Sequence, residues 1–435
     1  MVDGPDSWAR SLVTDGIAEK FISVDMRDAD TLFERTLAEL KVRTCMCARG
    51  VSCAHPFHLS QKLPDEGLTP DGVCTFNEMS VPIASRLAEA LKLPGNPVAA
   101  VDAARDKYAT RSIMEAAGLP TPPTALIEKE DDLAGAAAKV GFPAVIKPIA
   151  GAGSMGVVRV DSEEELRTLY AKVVKDMGRA VVTSGALVYA PEDGSTGGST
   201  KAFEVLMMME AYLDGAEVDV DIVLSEGKSW YNEVTDNWPT IEPYFQEVGA
   251  NCPSVLSREQ QDELIKLSVD ATLALGFTSG VFHVESKYTS KGARLIEVNC
   301  RMGGMQVRNI NLLTWGVDLV EEHLFTVVGL PARPPKAPKP LAAISEMAYN
   351  APQSGRMKDL SFIDEWKAHP NVISARPLVA AGELVTGPDD GMPTWYAEIV
   401  VTFPPEQDGL KKGWDMLYGI DAQWRKEGAL PIVPK

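Results

Sequence analysis

Apolar and polar positions alternate most regularly over residues 280–304, GVFHVESKYTSKGARLIEVNCRMGG. Two runs of period two flank the turn-like TSKG, a pattern that predicts a β-hairpin. Because successive strand side chains point to opposite faces, Glu297, Asn299 and Arg301 are expected on one face of the second strand, and Ile296, Val298 and Cys300 on the other. Glu285 joins the first set from the facing strand, with His283 on its face. Such charges often form a solvated, salt-bridged surface. Two carboxylates, an amide oxygen and a guanidinium converging across a hairpin also make an oxygen-rich cation site beside an anion clamp. The hairpin alone leaves both open.

Elsewhere the pattern switches repeatedly between the two periods. A short β stretch is expected at KFISVD (20–25), then a helix over 28–42, with Leu32, Phe33, Leu37 and Leu40 at helical spacing behind the N-cap candidate Asp30. GVCTFNEM (72–79) reads as a strand and VPIASRLAEALKL (81–93) as a helix, an alternation that predicts a small parallel sheet. Residues 2–8, VDGPDSW, look like the end of a strand and its loop, which suggests a first strand missing from the start, and a helical run separates them from KFISVD. One helix is expected from 102 to Gly118, with Lys107 in its first half and Pro120, Pro122 and Pro123 beyond it. Residues 130–143 read as helix and turn, 144–160 as strand, loop and strand, and 161–176 as a helix with Glu163, Glu164 and Glu165 in its first turn.

Residues 191–201, PEDGSTGGSTK, form a loop. Residues 203–227 follow as strand, connector and strand, the second placing Glu217, Asp219 and Asp221 opposite Val218, Val220 and Ile222. The run Met207, Met208, Met209 reads as core, although methionines beside Glu210 would also suit a planar adenine. A long amphipathic helix (257–277) leads into the hairpin, and one helix is expected over 315–330. The Pro-rich 330–340 is an extended connector. The remainder reads as short strands, turns and a final helix near 409–428.

The loop GAGSMG (151–156) matches GxGxxG but is followed by a strand, so the dinucleotide-binding context fails. No Gly-Lys-Ser/Thr follows, which excludes a P-loop. What remains is a strand-loop-strand with Lys147 ending the first strand. Its glycines let backbone N–H groups approach an anion closely. A hairpin with a flexible tip is the bland alternative.

Composition narrows the class. With 435 residues, 45% hydrophobic and 24% charged, the chain suffices for two or three soluble domains. A net charge of -19 argues against non-specific nucleic-acid or anionic-membrane binding, so a polyanionic ligand needs a local basic site. No apolar run is long enough to span a membrane and no signal-like N-terminus is present, which makes the cytoplasm the expected location. Three of the six cysteines crowd into the segment 44–70, where Cys45, Cys47, Cys53, His55 and His58 resemble metal ligands by type. Their spacing does not match a zinc module, so an insertion is the favoured reading.

Taken in order, DKYATRSIMEAAGLPTP, GFPAVIKPIAGAGSMGVV, MMMEAYLDGAEVDVDIV and VESKY with LIEVNCRMGG resemble the ATP-grasp superfamily of carboxylate-amine ligases, over roughly residues 75–330. Within it, DGPDSW, GIAEKFI and PGNPVAAVDAARDKYATR are similar to the C-terminal part of ligases that join β-alanine or GABA to L-histidine. The resemblance implies an α/β (α+β) ATP-grasp fold. It comprises an N-terminal Rossmann-like α/β half-domain (1–100, with the insertion 44–70), an ATP-grasp domain (101–330, lid about 121–210, with a Gly-rich flap) and a mixed C-terminal part of the core (331–435). It implies ATP and Mg²⁺ (or Mn²⁺) as cofactors and amino acids as partners, a homo-oligomer is compatible with it, and another ATP-grasp amino-acid ligase or carboxylase, or a catalytically silent nucleotide-binding module, stays open beside the dipeptide ligase. By motif, Lys107 and Lys147 would contact phosphates under the loop of Gly151, Gly153, Ser154, Met155 and Gly156. Glu210, Tyr212 and Leu213 would line the adenine site and Glu217 would reach the ribose. Glu285, Glu297 and Asn299 would hold the metal. Arg301 and Lys147 would act on the reacting groups, Arg301 binding the substrate carboxylate and Arg308 a second one.

Overall fold

The computed structural model describes residues 71–183, 186–189, 205–406, 408–426 and 430–433. The expectations for KFISVD, the helix over 28–42, the missing first strand, the cysteine- and histidine-rich segment and the loop 191–201 lie outside these residues.

The described chain opens irregularly. Residues 72–77, expected as a strand, form none, because Asn77 turns the chain: its side chain caps Met79 N at 2.9 Å while Thr75 accepts from Asn77 N at 3.0 Å, starting the 3-10 turn Glu78–Ser80. Helix α1 (Val81–Leu91) follows. The single helix expected from 102 is two, α2 (Val98–Arg105) and α3 (Lys107–Ala116). Asp106 between them is extended and its carboxylate accepts from Tyr108 N and Ala109 N, so it starts a new helix and sets Lys107 at its first turn.

A first sheet forms the lid. Strands β1 (Thr124–Ile127), β2 (Ala144–Pro148), β3 (Val158–Val160) and, after the pair β4 (Ala180–Thr183) and β5 (Ala186–Tyr189), β6 (Met207–Ala211) include an antiparallel sheet in the order β1-β6-β2-β3. Helices α4 (Leu133–Val140) and α5 (Glu163–Met177) cover it, and Ser162 caps α5 as its acidic first turn requires. Met207 and Met209 are fully buried in this cluster and Met208 is equally buried, so the methionine run is core and not an adenine sandwich.

The second sheet carries β7 (Ala216–Ser225), β8 (Lys228–Asn237), β9 (Gly249–Cys252), then past helix α6 (Arg258–Ala274) the hairpin β10 (Gly280–Thr289) and β11 (Gly292–Asn299). Helix α8 (Leu319–Val327) lies within the helix expected over 315–330, and an unexpected helix α7 (Val307–Trp315) precedes it, the two separated because Gly316 takes a left-handed φ of 74° and Asp318 caps a new start. The C-terminal part adds β12 (Ala343–Asn350), β13 (Gly355–Met357), the short helix α9 (Asp364–Lys367), β14 (Val372–Pro377), β15 (Leu384–Val385), β16 (Trp395–Phe403), α10 (Gly409–Trp424) and β17 (Ile432–Val433). Eight of these strands form one antiparallel sheet, ordered β11-β10-β7-β8-β9-β12-β16-β14, so residues beyond 331 extend the same layer as the hairpin.

Alternation along these strands separates the two faces. Val218, Val220, Phe282, Val284 and Val298 pack under α6, while Met347, Tyr349 and Ile399 pack under α10 with Leu417, Ile420 and Trp424. The opposite face packs part of its length against α7 and α8 through Val223, Val281, Ile344 and Val400. Its remaining polar stretch, from Glu217 to Glu297 across β7, β10 and β11, faces the lid.

Candidate active site

The hairpin forms with one irregularity. Glu285 and Glu297 are direct cross-strand partners, as are His283 and Asn299, but the register shifts after Glu285, so that Ser286 faces Leu295. Ile296 is therefore the extra residue of a bulge. Val298 and Cys300 are buried as the alternation requires, whereas Ile296, expected with them, lines the cleft and gives its carbonyl to Arg111 at 2.8 Å.

Between the lid and this edge of the large sheet lies an open cleft. The lid contributes Lys147, residues 151–155, Glu210, Tyr212 and Leu213. The core contributes Lys107, Glu217, Glu247, Glu285, Lys287 and Glu297. Twelve of the sequence-identified residues thus meet in one place: Lys107, Lys147, Gly151, Gly153, Ser154, Met155, Glu210, Tyr212, Leu213, Glu217, Glu285 and Glu297. Gly153 and Ser154 have φ of 61° and 55°, the left-handed conformation that turns successive N–H groups toward a common point.

Gly156, Asn299, Arg301 and Arg308 do not line the cleft. At Gly156 a Cβ would stand 2.9 Å from Pro148 Cγ and 3.1 Å from Met177 Sδ, so this glycine closes the loop onto the lid. Asn299 donates to Glu285 Oε1 at 3.1 Å, behind the carboxylate. Arg301 follows the strand's end, with its Nε 2.5 Å from Glu78 Oε2 and its Nη1 donating to Met302 O at 2.7 Å. Arg308, expected at a second carboxylate, is engaged through its Nε and Nη2 by Asp318 at 2.8 and 2.5 Å, outside the cleft.

Electrostatics divide the two hairpin carboxylates. Burial pushes Glu285 up, and its neighbour Glu297 pushes it further. Glu297 is pushed up by the same burial, but its ion pair with Lys107, aided by Lys147 and Arg105, more than reverses this and holds it down. Lys147 is pulled below the ordinary lysine range by burial, against the attraction of Glu210. Burial acts against Glu210 as well, yet Arg111 and Lys147 bring its carboxyl to about 2. Tyr212 donates to Glu242 at 2.6 Å beneath the Arg159 guanidinium, whose carbon is 4.4 Å from the ring centre.

Two adjacent carboxylates, one raised by the other, form a donor set that suits a hard divalent cation, because such an ion removes the repulsion that raises Glu285. Among the described residues no group of three or more His, Cys, Asp or Glu is arranged for a metal. An ion here would complete its shell with phosphate oxygens and water.

His283 has no place in the cleft. Its Nδ1 lies 2.8 Å from Asp221 Oδ1, Asp221 Oδ2 accepts from Asn311 at 2.7 Å, and Asn311 Oδ1 accepts from Tyr231. Although burial opposes it, the charges of Asp219 and Asp221 raise His283 to about 10, so this buried chain ties β10, β7, β8 and α7 together as an ion pair.

Sequence reasoning missed Glu78, Arg105, Arg111, Glu247 and Lys287. Arg111 had a readable signal, since it stands four residues after Lys107 on one helix face. Glu78, which pairs with both Arg105 and Arg301, had none, because it comes from an irregular segment more than 200 positions before Arg301.

A two-sheet clasp around a cleft holding two lysines, a Gly-rich loop and paired carboxylates defines the ATP-grasp class. Residues 140–309 match the family model of the ATP-grasp domain, and the chain carries a domain of that family. It is 32% identical over 309 residues to carnosine synthase 1 of Gallus gallus, an alignment covering 69% of this chain and 32% of the relative. It is 25% identical over 256 residues to alanine–anticapsin ligase of Bacillus subtilis, covering 58% and 52%. The chain spans about a third of the length of the carnosine synthases it matches. In fold it is similar to the crystal structure of L-amino acid ligase from Bacillus licheniformis, with a TM-score of 0.68 at 22% identity, covering 84% of this chain and 82% of that one. Among the described residues no helix is long and apolar enough to cross a membrane.

Proposed function

We propose that this protein is an ADP-forming carboxylate-amine ligase that makes a dipeptide from ATP, a β- or γ-amino acid such as β-alanine or GABA, and L-histidine. The observation that carries the reading is the meeting of Lys107, Lys147, the loop 151–155 and the pair Glu285/Glu297 in one cleft. The choice of amino acids is supported by the similarity to carnosine synthase 1.

A carboxylate is a poor electrophile. In the proposed reaction its oxygen attacks the γ-phosphorus of ATP, the bond to the β-phosphate oxygen breaks, and ADP leaves. An amine then attacks the carbonyl of the acyl phosphate, phosphate departs, and the amine loses a proton to leave an amide. Anion attacking anion is the obstacle, so positive charge near the transferred group sets the rate. Lys107 and Lys147 would hold phosphates, and the backbone of 151–156 would fold over them and exclude water that otherwise hydrolyses the acyl phosphate. Residues 210–213 would receive the adenine and Glu217 the ribose. Glu285 and Glu297, steadied by Asn299, would hold Mg²⁺ or Mn²⁺, which supplies charge neutralisation and alignment of the phosphates. Arg301, released from Glu78, would bind the carboxylate being activated. Arg308 has no part in the scheme, because Asp318 holds it.

Incubation with ATP, Mg²⁺ and amino-acid pairs, followed by phosphate assay and mass spectrometry, tests the reading. ADP, phosphate and a β-alanyl- or γ-aminobutyryl-histidine are expected. Absence of phosphate release with every β- or γ-amino acid plus histidine overturns the substrate assignment. A second reading, ligation of α-amino acids, is favoured by the similarity to alanine–anticapsin ligase. Product formation from alanine in place of β-alanine would select it.

A further inference from the structure

Arg111 has no role in the scheme above, yet it is one of the most completely buried charges in the protein. Arg111, Glu210 and Lys147 are 3%, 3% and 5% exposed. The guanidinium grips both carboxylate oxygens, Nε to Glu210 Oε2 at 2.5 Å and Nη2 to Oε1 at 3.2 Å, while Nη2 also donates to Ile296 O at 2.8 Å. Lys147 Nζ shares that Oε1, at 2.8 Å. Lys147 and Glu210 line the cleft but Arg111 does not, so the guanidinium meets the carboxylate from behind.

Two cations share the one carboxylate they both touch, and the next negative charge to act on Lys147 is that of Glu297, which Lys107 already pairs. A lone buried charge is costly, so such a surplus is stable only where an anion completes the set. Without Arg111, Lys147 would be the sole counter-ion of a buried carboxylate and could turn to a phosphate only by abandoning it. We propose that Arg111 is a positioning residue that takes over the charge of Glu210 and thereby leaves the Lys147 ammonium available to a nucleotide phosphate. Its bond to Ile296 O anchors this arrangement to the bulge beside Glu297, so the lid lysine and the hairpin carboxylates share one support. The inference rests on the ATP-binding reading of the cleft.

Calorimetric titration with ATP·Mg²⁺, and with adenosine as a phosphate-free control, tests it. Arg111→Met should weaken ATP binding about tenfold or more while changing adenosine binding little, because the loss concerns the lysine and not the base. Arg111→Lys, which keeps the charge without the fork, should fall between the two. The decisive variant is Arg111→Met with Glu210→Met. Because Glu210 also belongs to the proposed adenine site, the double variant is read as the ratio of ATP to adenosine affinity; with the carboxylate gone Lys147 is free again, and that ratio should exceed the ratio of Arg111→Met alone. A residue that merely supports the fold gives the opposite order, since two deletions in one cluster weaken it more than one. Equal ATP affinity in wild type and Arg111→Met, or a double variant no better than the single, overturns the inference while leaving the ligase reading intact. A wild-type protein that binds no ATP overturns both. If Arg111→Met is insoluble, the double variant decides, since it buries no orphaned carboxylate. A ratio of ATP to adenosine affinity within about threefold of the wild-type ratio is then expected, and a fall beyond about tenfold rejects the proposal.

Discussion

Glu285 and Glu297 are the same residue type at directly paired positions, and their surroundings drive them apart. Glu297 has Lys107 and stays ionised, whereas Glu285, buried and next to Glu297, is pushed toward protonation. Residue identity alone gives no such asymmetry, which comes from a helix that begins 190 positions before Glu297. Glu297→Gln removes the charge that both Lys107 and a bound cation would use. ADP formation should fall by at least the roughly 10–100-fold that loss of an outer-shell metal partner typically costs. The melting temperature should shift by only a few degrees, and added Mn²⁺ should restore part of the activity. Turnover at the wild-type rate would remove Glu297 from the metal assignment. His283 shows the converse, because a residue on the same strand face as Glu285 is committed to Asp221 and serves the framework.

Elements were legible in proportion to the length of their pattern. The hairpin, the flanking strands of the Gly-rich loop and α6 follow from period two or 3.6 sustained over many residues. The break within the helix expected from 102 was not, because helical spacing continues across Asp106 and only capping chemistry marks the new start. At Asp106 that break sets the orientation of Lys107 and Arg111 and lets Lys107 N donate to Ile149 O at 2.8 Å. Asp106→Ala should therefore cost about 1 kcal/mol by loss of the cap and raise KM for ATP by several-fold, measured by denaturant unfolding and steady-state kinetics. An unchanged KM together with lowered stability would mean that α3 holds its lysine without the cap. The strand expected over 72–79 failed for the same kind of reason, since apolar Val73 and Phe76 suggest a strand but Asn77 and Thr75 hold a turn.

At the scale of the whole molecule, the lid has a hydrophobic cluster of its own, distinct from the clusters that pack the eight-stranded sheet. Helix α3 spans the two, with Lys107 on the hairpin side and Arg111 on Glu210 of the lid. Two hydrophobic clusters that pack separately need not melt together. Calorimetry of the nucleotide-free protein should resolve two transitions, and saturating ATP with Mg²⁺ should bring them together by stabilising only the closed pairing of lid and core. One transition that nucleotide leaves unmoved would argue against a lid that clasps the ligand. The net charge of -19 sharpens the same point, because in the proposed function ATP would be drawn by Lys107 and Lys147 in one cleft and not by the general field of the protein. The sequence by itself determined the hairpin, the strands around the Gly-rich loop, most helices and twelve of the residues that line the cleft, since each follows from local period, turn chemistry or a motif in order. Only the tertiary structure decided which charges face one another. It bulged the hairpin at Ile296, tied Arg301 to Glu78 and Arg308 to Asp318, and set Arg111 behind Glu210. Those choices depend on how segments from ten to more than two hundred residues apart meet, which no local pattern encodes.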